Sequence, residues 1–126
     1  MVNTKKAKIL IVEDERNIAR YIKESLESFG IDAIRIAVSG EEAIQKVKEM
    51  KPDVVLMDIV LKGKMDGIEA AEIIKGQLGT PIIYITAYSD DQHVKRAKAT
   101  NPIGYLLKPF HIGDLQQGIE FAMQQH

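Results

Sequence analysis

Asp53-Val-Val-Leu-Met-Asp58 is the stretch that decides the fold. Four apolar, β-compatible residues stand between Pro52-Asp53 and a closing carboxylate, with no polar alternation. That pattern belongs to a central parallel strand covered on both faces. Its last residue, Asp58, then falls where such a sheet opens to solvent. Ligands of open α/β sheets bind outside the carboxyl ends of the strands, so a carboxylate there is a candidate reactive group rather than a stray charge.

Working outward, 126 residues, 45% hydrophobic and 28% charged, suffice for one continuous core and are too few for two. A single domain over residues 1–126 is expected, with its core at about 8–124. The formal net charge of −1 gives no general attraction to nucleic acid or to an anionic membrane. The absence of cysteine excludes disulfides, thiolate chemistry and Cys-ligated metal sites. No run approaches the roughly 18 apolar residues of a membrane span, and Thr4-Lys-Lys-Ala-Lys8 leads straight into a strand rather than a signal sequence. A soluble, cytoplasmic protein is expected.

Strands and helices alternate along the chain. Lys8-Ile-Leu-Ile-Val12 is a short apolar strand, followed by a helix with Ile18, Ile22, Leu26 and Phe29 on one stripe and Gly30 as its stop. Asp32-Ala-Ile-Arg-Ile-Ala37 alternates like an edge strand. Ser39 with Glu42 reads as a capping box opening a helix that carries Ala43, Ile44, Val47 and Met50 up to Lys51-Pro52. After the Asp58 strand, Asp66-Gly67 leads into a helix with Ile68, Ala71 and Ile74, ended by Gly76 and Gly79. Pro81-Ile-Ile-Tyr-Ile-Thr86 is the fourth strand. Ser89 with Gln92 repeats the capping pattern before a helix through about Ala99, whose thin apolar face of Val94, Ala97 and Ala99 predicts a mobile element. Ile103-Gly-Tyr-Leu-Leu107 is the fifth strand, and a last helix carries Ile112, Leu115, Ile119 and Ala122.

Five strand and helix alternations predict a doubly wound α/β fold, a five-stranded parallel sheet with helices on both faces. In the strand order 2-1-3-4-5 the first, third, fourth and fifth strands are neighbours. Their carboxyl ends carry Glu13 and Asp14, then Asp58, Thr86 and Lys108, which gathers a scattered set into one pocket. Three carboxylates so close repel one another unless a cation compensates, and an all-oxygen site open to water suits Mg²⁺ better than a softer metal. With Mg²⁺ and the Lys108 ammonium on phosphoryl oxygens, Asp58 is placed to attack phosphorus in line and become an acyl phosphate. The Thr86 hydroxyl would donate to the new group, whose charge draws the loop inward.

Val12-Glu13-Asp14-Glu15, Met57-Asp58-Ile59, Met65-Asp66-Gly67, Ile85-Thr86-Ala87 and Lys108-Pro109-Phe110, in that order, resemble the receiver domain of two-component response regulators, over essentially residues 8–124. The flavodoxin-like order 2-1-3-4-5 belongs to that same family and is no independent support for it. The resemblance implies Asp58 as phosphoacceptor, with Glu13, Asp14, Asp58 and the Val60 backbone carbonyl as metal ligands. It implies Thr86 and Tyr105 as the switch pair, and Lys108 as the phosphate-binding lysine, followed by a cis peptide to Pro109. Mg²⁺ is the implied cofactor, with Mn²⁺ as a substitute. The implied partners are a sensor histidine kinase or phosphotransfer domain upstream, and a downstream protein or a fused output domain. Direct contact with nucleic acid or membrane is not expected, and the chain would be a monomer or weak dimer. Its chemistry would be confined to its own phosphorylation and dephosphorylation, so it would not be an enzyme acting on other substrates.

The chain departs from the family pattern between Asp58 and Asp66, where Ile-Val-Leu-Lys-Gly-Lys-Met is one residue longer than the commonest spacing and lacks its usual proline. A more flexible loop over the metal site follows. Val60 and Tyr88, two residues past Asp58 and Thr86, offer no base and position no water, which predicts slow self-dephosphorylation. Thr100-Asn101-Pro102 lacks the acidic pair of receivers that dimerise to drive winged-helix DNA binding. Only Met123-Gln-Gln-His126 follows the last helix, leaving a stand-alone receiver or the front of a larger protein, with output through the fourth helix, fifth strand and fifth helix. Two other classes are weighed. A dehalogenase-type phosphatase needs a second acid where Val60 stands, and a flavodoxin-like phosphate-binding module would be repelled by Glu13-Asp14-Glu15.

Overall fold

The two-sided apolar strand becomes the centre of a five-stranded parallel sheet. In the computed structural model, which describes residues 4–87 and 91–124, the strands are β1 (Lys8–Val12), β2 (Ala33–Ala37), β3 (Val54–Asp58), β4 (Ile82–Thr86) and β5 (Gly104–Leu107). Their order is β2-β1-β3-β4-β5, all parallel. The helices are α1 (Arg16–Ser28), α2 (Gly40–Met50), α3 (Gly67–Leu78), α4 (Asp91–Ala99) and α5 (Ile112–Gln124).

Alternation along each strand divides one apolar run into two cores. Leu10, Val12, Val55, Met57 and Tyr84 face α2 and α3, whose Ala43, Val47, Ile68, Ala71 and Ile74 cover them. Ile9, Ile11, Val54, Leu56, Ile83 and Ile85 face α1 and α5 and meet Ile22, Leu26, Leu115 and Ile119. Every residue of β3 and β4 is buried, as expected for central strands, whereas β2 at the edge is buried only at Ala37.

Several local expectations are corrected. Thr4–Lys6 forms a 3-10 turn before β1 instead of entering it directly. Ser39 caps α2 by accepting the Glu42 N–H, but the Glu42 carboxylate takes the N–H of Val38, one residue before the cap, so the box closes one residue early. The full reciprocal box is at α3, where Asp66 and Glu69 each accept the other's N–H. Gly76 lies within α3, and the left-handed Gly79 alone ends it. Ile112 opens α5 on its exposed side, 38% accessible, so the apolar stripe of the helix is buried only from Leu115 onward. The Ser89 cap expected for α4 lies outside the described residues, as does Tyr88. Among the described residues of α4 only Ala97 is fully buried.

Polar contacts position α4 instead. Arg96 donates to Asp66 at 3.0 Å, and Lys75 of α3 donates to the Asn101 carbonyl just past the helix end. In the core, Thr100 donates its hydroxyl to the Ala97 carbonyl at 2.6 Å, which leaves the Tyr84 hydroxyl as the donor in the 2.7 Å Tyr84 to Thr100 bond.

Candidate functional site

Parallel pairing brings the ends of β1, β3, β4 and β5 to one edge of the sheet, and the chain's reactive residues stand there. Asp58 is the last residue of β3, in register with Ile85, one residue before Thr86. Glu13 follows β1 and is held by its own N–H to the Ala37 carbonyl at 3.0 Å. Lys108 follows β5, its N–H bonded to the Thr86 carbonyl at 2.8 Å, and its peptide bond to Pro109 is cis.

Glu13, Asp14 and Asp58 each offer a carboxylate oxygen, and these oxygens all lie within 4.8 Å of one another. Glu13 and Asp58 are buried, and Asp14 is half-buried. The Lys108 ammonium stands 3.0 Å from Glu13 and 3.9 Å from Asp58, so its closer partner is the metal-site glutamate rather than the candidate nucleophile. Burial first, then the Glu13 carboxylate, pushes the Asp58 carboxyl from its ordinary 3.8 up to about 7. Lys108 and the Val60 N–H, which donates to Asp58 at 3.2 Å, act in the opposite direction but do not prevail.

The loop between β3 and α3 closes over this cluster. The Lys62 N–H donates to Asp14 at 2.9 Å, and Gly63, at φ +106°, turns the chain immediately afterwards. The Gly67 N–H donates to the Ile59 carbonyl at 2.8 Å. A Cβ on Gly67 would sit 1.9 Å from the Asp58 carbonyl oxygen, so only glycine lets α3 begin this close to the phosphoacceptor candidate. A cavity of about 200 Å³ opens above Asp58, lined by Asp14, Glu15, Val60, Lys62, Thr86, Ala87 and Lys108.

A divalent cation suits this donor set. Three carboxylates converge with one ammonium as counter-charge, and the buried Asp58 is held partly protonated where a hard cation would stabilise its anion. Thr86 is fully buried at the end of β4. Tyr105 pairs with Tyr84 across β4 and β5, their ring centroids 6.2 Å apart, and alternation places Thr86 and Tyr105 on the same face of the sheet. Of the predicted site, Glu13, Asp14, Asp58, Val60, Thr86 and Lys108 come together, while Tyr105 stands one strand away on that shared face.

Sequence reading assigned no role to Gly67, Lys62, Tyr84 or the link from Asp66 to Arg96. Gly67 had a usable signal in its place directly after Asp66; the structure adds that its φ is not positive, so its value is space rather than backbone freedom. The others are tertiary contacts without a local signature.

A family model described as response regulator receiver domain matches residues 9–120. The transcriptional regulatory protein PdtaR of Mycobacterium tuberculosis is 37% identical over 118 residues, covering 94% of this chain and 57% of PdtaR. The transcriptional regulatory protein YvrH of Bacillus subtilis is 40% identical over 105 residues, covering 83% of this chain and 44% of YvrH. The chain thus spans about half the length of the curated relatives it matches. The crystal structure of the signal receiver domain of a modulated diguanylate cyclase from Desulfovibrio desulfuricans G20 superposes with a TM-score of 0.90 at 39% identity, covering 95% of both chains. With acid cluster, strand order and these similarities in agreement, the chain belongs to the response regulator receiver family, whose members are phosphoacceptor switches of two-component signalling.

Proposed function

We propose that Asp58 is the phosphoacceptor of this receiver, taking a phosphoryl group from the phosphohistidine of a sensor kinase or phosphotransfer domain. An Asp58 oxygen forms the new P–O bond as the P–N bond to the donor imidazole breaks, and the imidazole leaves with the bonding pair and gains a proton from solvent. The observation that carries this reading is the convergence of Asp58, Glu13 and Asp14 beside the Lys108 ammonium at the open edge of a parallel sheet.

Glu13, Asp14, Asp58 and the Val60 carbonyl would hold Mg²⁺, or Mn²⁺ in its place. The bound cation supplies charge neutralisation for the phosphoryl oxygens and keeps Asp58 ionised. Lys108 binds a phosphoryl oxygen after exchanging its Glu13 contact, and Thr86 donates its hydroxyl to another. Pulling Thr86 inward makes room for Tyr105 on the same face of the sheet, and the face formed by α4, β5 and α5 then changes its contacts.

In this reading residues 1–126 form one receiver domain with its core at about 8–124, acting in the cytoplasm as a monomer or weak dimer. It assists only its own phosphorylation and dephosphorylation. Output passes to a downstream protein or a fused output domain, and any nucleic-acid contact would belong to the latter. Val60 beside the site supports slow loss of the phosphoryl group, since its side chain neither acts as a base nor holds a water.

Intact mass after incubation with acetyl phosphate tests this. Wild type should gain one phosphoryl group, about 80 Da, only with Mg²⁺, and Asp58→Asn should gain none. Absence of the adduct in folded wild type, with beryllofluoride also failing to bind, would overturn the reading, and a half-life of seconds would overturn the slow-loss part of it.

A further inference from the structure

Lys62 lines the cavity above Asp58 but has no part in the chemistry described so far. Its backbone is fixed to the site, because its N–H donates to the Asp14 carboxylate at 2.9 Å. Its side chain is exposed, and among the described residues no carboxylate lies within ion-pair distance of its ammonium. The cavity floor meanwhile carries three carboxylates against one ammonium, and Lys108 is already engaged by Glu13 at 3.0 Å. An incoming phosphodonor is itself anionic, and Lys108 with a bound Mg²⁺ only balances the three carboxylates of the floor, leaving no surplus positive charge there to draw it in.

We propose that Lys62 is a donor-capture residue, whose ammonium draws anionic phosphodonors into the cavity and holds them beside Asp58. The inference rests on Asp58 being the phosphoacceptor. Gly63 directly after Lys62 turns the loop away, so Lys62 is the loop's basic residue held against the site, while Lys64 does not line the cavity. A cavity of 200 Å³ is about 7 Å across. At that separation, removing one unit charge lowers the local concentration of a dianion about five- to tenfold at low ionic strength, and about twofold near 0.15 M salt.

The test is the rate of Asp58 phosphorylation by acetyl phosphate, followed by intact mass at saturating Mg²⁺ for each variant. Lys62→Met keeps the length of the side chain and removes its charge. Lys62→Arg restores the charge. Lys48→Met is the control for net charge, since Lys48 lines a separate cavity beside Pro52 and Pro81 at the other end of the sheet. At low salt, Lys62→Met should raise the half-saturating donor concentration about five- to tenfold with little change in the limiting rate. Lys62→Arg should return it to within about twofold of wild type, Lys48→Met should match wild type, and 0.5 M salt should close the gap.

Equal rates for Lys62→Met and wild type would overturn the proposal. So would an equal fall in Lys48→Met, or a loss confined to the limiting rate. A wild type that takes up no phosphoryl group would instead overturn the reading of Asp58.

Discussion

Asp66 serves two helices at once, accepting the Glu69 N–H with one carboxylate oxygen and the Arg96 guanidinium of α4 with the other. The cap sits at the start of α3, while the ion pair with Arg96 is partly exposed on both sides, at 45% and 31%. Exposed pairs contribute little, so Arg96→Ala should change stability by less than about 1 kcal/mol. Asp66→Ala also removes the cap and should cost about 1–2 kcal/mol, with Asp66→Asn between them because it still caps. Urea denaturation of the three variants gives the order, and equal costs for Arg96→Ala and Asp66→Ala would show that the ion pair, not the cap, carries the effect.

Asp58 makes metal-free stability depend on pH. Its folded pKa, about 7, lies above the ordinary carboxylate value of 3.8, so the folded state binds more protons between those values. Stability should therefore fall as pH rises from about 4 through about 7 and then level off. Asp58→Asn removes the penalty and should be more stable than wild type at pH 8, by at most a few kcal/mol, with the difference shrinking below pH 5. Saturating Mg²⁺ should reduce the same difference. Thermal melts in chelator and in Mg²⁺ test this, and a wild type that gains stability on going from pH 5 to pH 8 without metal would contradict it.

Gly67 is limited by space. A methyl group there meets the Asp58 carbonyl oxygen at 1.9 Å, and since the backbone fixes a Cβ and its partner is itself backbone, no rotamer change gives relief. Gly67→Ala should cost about 2 kcal/mol or more by forcing α3 away from the end of β3. It should also slow phosphorylation of Asp58, whereas Gly76→Ala, with open space around its Cβ, should be neutral or slightly stabilising. Parallel denaturation and phosphorylation assays distinguish the two positions.

Tyr84 ties the sheet to the end of α4. Tyr84→Phe removes only the donor to Thr100, whose hydroxyl still has the Ala97 carbonyl, and should cost about 1 kcal/mol. Tyr84→Ala empties a fully buried site and should cost about 3–5 kcal/mol. Burial also pushes the Tyr84 phenol up to about 12, so an ultraviolet titration should show a late-titrating tyrosine that is lost in Tyr84→Phe.

The sheet was readable because β1, β3 and β4 are apolar without interruption, and only strands covered on both faces need that composition. Glu13, Asp14, Asp58, Thr86 and Lys108 were readable because each directly ends or follows such a strand. Which charges pair was not, since the preference of Lys108 for Glu13 over Asp58 depends on distances that only assembly fixes. Ile112 looked like core by its spacing, yet it is exposed in the first turn of α5, and spacing along one helix does not record how far its neighbours reach. The contacts of α4 escaped for the same reason, because Arg96 and Thr100 find partners on α3 and β4 far away in the chain.

Ala97 is the fully buried side chain that α4 contributes among its described residues, with hydrogen bonds and an ion pair holding the rest of the helix. When such a helix lifts away, the polar groups it releases are hydrated readily and its own face bares little apolar surface. A helix seated on leucines would present a sticky face each time it moved. The thin apolar face of α4 therefore limits the apolar surface that a movement of this helix would add to the outside of the protein.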